Sequence, residues 1–214
     1  YRRLNGTTKY NSTIVPQVSS ANERVQMSAI FNDKIIAGRG GTVSYGTTSG
    51  AWTSLATSLG TTNTYDFDKF NFDGTSKIIV ATGQAAAFTV NTSFTVDVIN
   101  ATGGGSAPTN PKFVKSFANH IFYGGMSDST HSIIFSVPFS EDNFTSGSGA
   151  GEIKVGDVVT GLKVFRNELF IFCQRKIYKL TGTTSTTFAL AEVAKNVGTI
   201  AHHSIQELGG DLIF

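Results

Sequence analysis

Apolar residues along the chain fall into short unbroken runs, each introduced by an apolar residue and a turn of Asn, Asp or Gly. The unit appears as Phe31-Asn32-Asp33-Lys34-Ile35-Ile36-Ala37-Gly38 and returns as Phe72-Asp73-Gly74-Thr75-Ser76-Lys77-Ile78-Ile79-Val80-Ala81. Further copies are Phe117-Ala118-Asn119-His120-Ile121-Phe122-Tyr123-Gly124, Phe165-Arg166-Asn167-Glu168-Leu169-Phe170-Ile171-Phe172 and Leu208-Gly209-Gly210-Asp211-Leu212-Ile213-Phe214. Counted from the first strand residue after each turn (Ile35, Ile78, Ile121, Leu169, Leu212), the steps are 43, 43, 48 and 43 residues. A fixed period of this size marks a repeat architecture.

Each unit carries more than one strand. A strand precedes each turn: Val25 to Ile30, Tyr65 to Asn71, Lys112 to Ser116, Gly161 to Phe165 and Ser204 to Leu208. A third strand follows the apolar run, as in Thr42-Val43-Ser44-Tyr45, Ala87-Phe88-Thr89-Val90, Ser132-Ile133-Ile134-Phe135 and Lys176-Ile177-Tyr178-Lys179-Leu180. A more polar fourth comes next at Thr95 to Ile99 and at Phe188 to Val193. Four short antiparallel strands per unit predict an all-β protein, a β-propeller with about 43 residues per blade. Stacked blades bury their inner strands on both faces, which explains unbroken apolar runs where a half-exposed strand would alternate. The small residues after those runs, such as Ala37-Gly38 and Gly124-Gly125, are expected to permit close backbone approach near a crowded axis. A sandwich or barrel of short strands would need no such period. The turn residues Asn32, Gly74, Asn119, Asn167 and Gly210 suit the positive φ that two-residue hairpins demand.

The repeat organises residues 21–214 as four blades and the start of a fifth, with 1–20 as a lead-in segment. The chain begins without Met and stops at Phe214 in mid-strand, so both ends read as cut. Closing the ring is expected to need residues after Phe214, or a closing strand from the lead-in such as Thr13-Ile14-Val15. No secretory leader is visible, because the charged start is not followed by an apolar stretch of roughly 7–15 residues.

Composition narrows the chemistry. Of 214 residues, 15% are charged and 40% apolar, with Gly 23 and Cys 1. The low charge argues against a coiled coil and the apolar content against disorder. One cysteine excludes an intrachain disulfide framework and a multi-cysteine zinc site. With 17 basic and 15 acidic residues there is no polyanion-binding signal. No apolar run approaches the roughly 18 residues of a membrane span.

Candidate sites are sparse. His120, His131, His202 and His203 lack the spacing of a metal site and read as solvated or singly hydrogen-bonded; His202 and His203 would face opposite sides of a strand. Cys173 reads as a small buried apolar residue. Asp66, Asp68, Asn71 and Asp73 are a weak calcium set, because Phe70 stands at the third ligand position and no Glu follows at the twelfth. Gly103-Gly104-Gly105-Ser106 precedes Ala107-Pro108 and not a helix, so it is a connection and not a phosphate cradle. Gly147-Ser148-Gly149-Ala150-Gly151 reads as a long exposed connection that lengthens the third unit. Neither a sialidase-type S-x-D-x-G-x-x-W box nor a Gly-His…Trp-Asp repeat occurs. No catalytic residue and no cofactor are expected.

The stretch from Phe135 to Gly198 is the most characteristic. It runs Phe135-Ser136-Val137-Pro138-Phe139, Gly156-Asp157, Thr160-Gly161-Leu162, Asn167-Glu168-Leu169-Phe170-Ile171-Phe172, Ile177-Tyr178-Lys179-Leu180-Thr181-Gly182 and Val197-Gly198. It resembles the β-propeller region of tailed-bacteriophage virion structural proteins, the tail nozzle or tail-tube-like proteins. Tyr1-Arg2-Arg3-Leu4-Asn5-Gly6 and Phe72 to Val80 with Gly83 add to the likeness. Cys173-Gln174 departs from it, standing where a basic residue is expected, and the chain is far shorter than a complete nozzle protein. The resemblance implies a non-enzymatic structural protein of the virion tail or neck, assembled in the host cytoplasm. It also implies a ring of copies, often sixfold, with other tail or neck proteins as partners and neither membrane nor sequence-specific nucleic acid. An alternative is a receptor- or glycan-binding propeller on a virion or cell surface, for which Trp52, Tyr45 and Tyr65 are the aromatic candidates. A propeller hydrolase lacks an evident carboxylate pair or Ser-His arrangement.

Overall fold

The computed structural model describes residue 13, residues 15–16, 24–48 and 50–214. Most of the lead-in, including Ile14 of the expected closing strand, lies outside the described residues. The chain divides into two compact units, Tyr1–Thr64 and Tyr65–Phe214.

The first unit holds one antiparallel sheet, in the order β1 (Val25–Phe31), β2 (Lys34–Arg39), β3 (Thr42–Gly46) and β4 (Trp52–Ala56). Asn32 and Asp33 join β1 to β2 with φ of 45° and 58°. Both central residues in the left-handed region define the hairpin turn whose twist matches the strands it joins. Met27, Ala29, Phe31 and Ile36 are buried on one face of this sheet, while Ile30 on the other is 69% exposed.

The second unit contains three more four-stranded sheets. They are β5 (Asp66–Asn71), β6 (Ser76–Ala81), β7 (Phe88–Asn91) and β8 (Val96–Val98); then β9 (Phe113–Phe117), β10 (His120–Gly124), β11 (Ser132–Phe135) and β12 (Gly151–Lys154). The last comprises β13 (Val159–Phe165), β14 (Glu168–Cys173), β15 (Lys176–Thr181) and β16 (Ala189–Lys195). A hairpin of β17 (Gln206–Leu208) and β18 (Asp211–Ile213) starts a fifth copy. Each sheet pairs consecutive strands antiparallel, so the architecture is a β-propeller of four-stranded blades. The same turn recurs at Ala118-Asn119, Arg166-Asn167 and Gly209-Gly210, all with positive φ, and Gly74 has φ of 75° in the longer turn of the second blade.

Stacking of the sheets explains the apolar runs. Phe70, Ile79 and Ala81 of the second blade pack on Val114, Ile121 and Tyr123 of the third. Phe117, Phe122 and Ile133 of the third blade pack on Leu162, Leu169 and Ile171 of the fourth. The second strands β10 and β14 are therefore covered on both faces. The innermost position belongs instead to the first strands: β9 lies between β5 and β13. The small residues after the runs do permit close approach, since a Cβ on Gly124 would come 3.2 Å from Val159 and one on Gly125 2.9 Å from Phe113.

Two local readings also change. Gly147 to Gly151 is not simply an exposed loop, since Ser146–Ser148 forms a 3-10 turn, Ala150 is buried and Gly151 opens β12. His202 and His203 lie in a 3-10 turn, His202–Ser204, with their rings 5.2 Å apart, and not on alternate faces of a strand. Of the two states expected for His120, solvated or singly hydrogen-bonded, the second is found. The residue opens β10 fully buried, its Nδ1 2.6 Å from the Ser136 carbonyl.

Candidate functional site

The open inner edge of β9 poses a physical problem: its outward N–H groups have no strand to donate to, and unpaired buried donors are costly. Asp66 and Asp68 solve it. Two residues apart on β5, they project from one face of that strand. The Val114 N–H donates to Asp66 Oδ2 at 2.9 Å, and the Ser116 N–H donates to Asp68 Oδ2 at 2.7 Å. The two carboxylates thus replace the missing strand at the period of the ladder.

Lys115 completes the staple. Its ammonium donates to Asp66 Oδ1 at 2.8 Å, to the Phe67 carbonyl at 3.0 Å and to its own neighbour's Val114 carbonyl at 2.8 Å. His202 reaches the same carboxylate, with Nε2 3.0 Å from Asp66 Oδ1, and its ring lies 4.9 Å from that of Phe113. One buried carboxylate therefore ties the second blade, the third blade and the segment that follows the fourth. Burial alone would push the Asp66 carboxyl up, but Lys115 and His202 outweigh it and hold it well below the usual carboxylate range. Burial pushes the Asp68 carboxyl up, partly offset by Lys115. His203 is pushed down, by burial first and then by the adjacent His202. His202 Nδ1 is buried without a hydrogen-bond partner and lies over Gly161, where a Cβ would come within 2.9 Å of it.

A second polar cluster clasps two connections. Asp142 accepts from the backbone N–H groups of Asn100, Ala101 and Thr102 at 2.8, 2.6 and 2.9 Å. The Phe144 N–H donates to the Gly104 carbonyl at 2.7 Å. Gly103 to Gly105 must be glycine because Asn143, Phe144 and Thr145 occupy the space of their Cβ atoms. Lys77 pairs with Glu141, and the Tyr123 hydroxyl donates to the Glu141 carbonyl at 2.8 Å. These contacts hold the inter-blade connections down. Together with β11 and β12 they border an open cleft of 410 Å³ lined by Phe135, Phe144, Thr145 and Glu152 among others.

The calcium set does not assemble. Asp66 and Asp68 face the third blade, the first paired with Lys115 and the second accepting from the Ser116 N–H, while Asn71 projects from the opposite face of β5 and Asp73 lies in the turn beyond it. Among the described residues no three His, Cys, Asp or Glu side chains come together as metal ligands. The aromatic binding set also fails to converge. Tyr65 is fully buried. Tyr45 pairs with Thr53 and Gly46 with Trp52, so the two rings leave opposite faces of the first sheet. The Trp52 ring covers Gly46, and its indole N–H donates to the Thr13 carbonyl at 3.3 Å. Cys173 is buried, its thiol pushed up to about 12 by burial and then by Asp157. Lys115 and the staple were not singled out by sequence, although the Asp66-x-Asp68 spacing on a strand was a visible signal.

No family model and no curated protein matches the sequence. Solved structures do match in fold. The extracellular domain of BT4673 from B. thetaiotaomicron is 13% identical, with 89% of this chain and 25% of that chain covered and a TM-score of 0.54. The Neurospora crassa Pan2 WD40 domain is 11% identical, with 80% and 52% covered and a TM-score of 0.53. At these identities the likeness establishes the fold, and the chain spans about half the length of the Pan2 domain. Among the described residues no helix is long and apolar enough to cross a membrane.

Proposed function

We propose that this chain is a propeller module of a bacteriophage virion structural protein, part of a nozzle-like tail or neck assembly and without enzymatic activity. The observation that carries the reading is the stretch from Phe135 to Gly198, whose Ser136-x-Pro138, Gly156-Asp157, Thr160-Gly161-Leu162 and Ile177-Tyr178-x-Leu180-Thr181-Gly182 order resembles that region of tail nozzle proteins. The inner staple supports it, because Asp66 and Lys115 spend their hydrogen-bonding capacity on one another and on backbone groups, as a scaffold requires. Its partners are then copies of itself in a ring and other tail or neck proteins, and its place is the virion. The near-neutral net charge of +2 suits a position outside the DNA path. The glycan-binding alternative loses its aromatic platform, since Tyr65 is buried and Tyr45 and Trp52 diverge.

The test is proteomic and structural. Purified particles of the phage whose genome carries this reading frame are digested and analysed by mass spectrometry, then imaged by electron cryomicroscopy. The chain is expected in the particle at a fixed copy number, with propeller density at the tail or neck. Its absence from purified particles, or a reading frame flanked by no virion genes, would overturn the proposal.

A further inference from the structure

β12 is the outermost strand of the third blade, and no strand lies along its outward edge. The Val155 N–H donates to the His131 carbonyl at 2.9 Å, which extends the β11–β12 ladder by one pair. Backbone groups of successive residues in an antiparallel ladder face opposite edges. Those of Ile153 therefore face β11, and the N–H and C=O groups of Glu152 and Lys154 point outward. A row of such groups is a template for another strand.

The side chains at this edge carry charge that their own chain leaves unmatched. Glu152 and Lys154 are exposed and share one face of β12, while Ile153 turns to the other and packs against the core between the third and fourth blades. Neither charged residue takes part in an ion pair among the described residues. The Ser129 hydroxyl reaches Glu152 at 3.5 Å. The other outer strands of the second unit differ. β16 is interrupted by a bulge, and its Glu192 is engaged by Lys176 and Lys195. β8 has three residues and a single charge, Asp97.

We infer that β12 pairs antiparallel with β12 of a second copy about a two-fold axis, Ile153 standing opposite the partner's Ile153. Glu152 then meets the partner's Lys154, and Lys154 the partner's Glu152, with the outward N–H and C=O groups of each pair bonded to one another. Gly151-Glu152-Ile153-Lys154 is thus complementary to itself, and this selects a second copy as the occupant. A slide of two residues would set Glu152 against the partner's Glu152, or Lys154 against the partner's Lys154, and like charges directly opposite are destabilising. The contact is isologous, and it brings the partner's Lys154 to the mouth of the cleft that Glu152 lines. Blades stack through their faces, so sheets added at either end of the repeat would leave this edge as it is. The pairing needs β12 alone and not the virion reading.

Sedimentation velocity from micromolar to submillimolar concentration tests it, with circular dichroism confirming the fold of each variant. The wild type is expected to pass from monomer to dimer. Glu152→Lys and Lys154→Glu are each expected to weaken the dimer more than about tenfold, because each sets like charges opposite one another. Both side chains are exposed, so reversing the charge leaves the fold intact. The chain carrying both substitutions exchanges the signs and is expected to dimerise as the wild type does. Mixing the two single variants is expected to give a heterodimer, since one offers only cations and the other only carboxylates. A wild type that stays monomeric, dimers untouched by the single reversals, a doubly reversed chain that stays monomeric, or single variants that stay apart when mixed would each overturn the inference.

Discussion

Cys173 and His120 show how burial sets chemistry one residue at a time. With its thiol pushed up to about 12, Cys173 carries almost no thiolate near neutral pH, and the thiolate is the reactive form. A disulfide reagent at about pH 8 should leave it untouched in the native protein and titrate one thiol once urea unfolds the chain. His120 is enclosed by the Phe122, Phe135 and Phe188 rings at 5.3 to 6.2 Å, with Nε2 buried and unpartnered. Burial pushes its pKa below the ordinary value of 6.5, against the raising effect of the Ser136 carbonyl. The unfolded chain therefore binds the proton more readily, and stability should fall as pH drops below about 6.5. Thermal unfolding at neutral and mildly acidic pH should show this loss in the wild type and a smaller one in His120→Phe.

At the scale of the element, turns and close approaches decide the outcome. Arg166 and Asn167 hold φ of 50° and 60°, which asparagine tolerates and β-branched residues resist. Asn167→Val should cost about 1–2 kcal/mol in urea unfolding, whereas Asn167→Gly should be close to neutral. Gly161 matters through space and not through φ: a Cβ there would come 2.7 Å from Ile205 Cδ1 and 2.9 Å from His202 Nδ1. Gly161→Ala should loosen the segment carrying His202 and Ile205, speeding amide exchange in β17 and β18 while β9 to β12 keep their protection. The turns and most strands were legible in the sequence because hairpins are local and their residues are restricted by backbone sterics. The fourth strands of the first and third blades, Trp52–Ala56 and Gly151–Lys154, were not singled out. They are half-exposed edge strands with little apolar pattern, and pairing with β3 and β11 defines them.

At the scale of the whole molecule, the blades of the second unit are coupled by apolar stacking and by the Asp66 staple. Asp66→Asn keeps the shape but removes the charge facing buried Lys115, and breaking one side of a buried pair costs about 3–5 kcal/mol. Because the native carboxyl is held below its unfolded value, its stabilisation is present above about pH 4 and is lost as acid protonates it. Urea unfolding should show the loss near neutral pH and a shallower acid limb in the variant. The sequence by itself determined the repeat, the turn positions, the all-β class and the strands that must be buried, because hydrophobic period and turn sterics are written locally. Tertiary structure alone decided which blade faces meet, that Asp66 and Asp68 serve β9 and not an ion, and that Tyr45, Trp52 and Tyr65 never share a surface. Those outcomes depend on pleat parity and on how sheets stack, and residues such as Asp66, Lys115 and His202 become neighbours only when the blades are brought together.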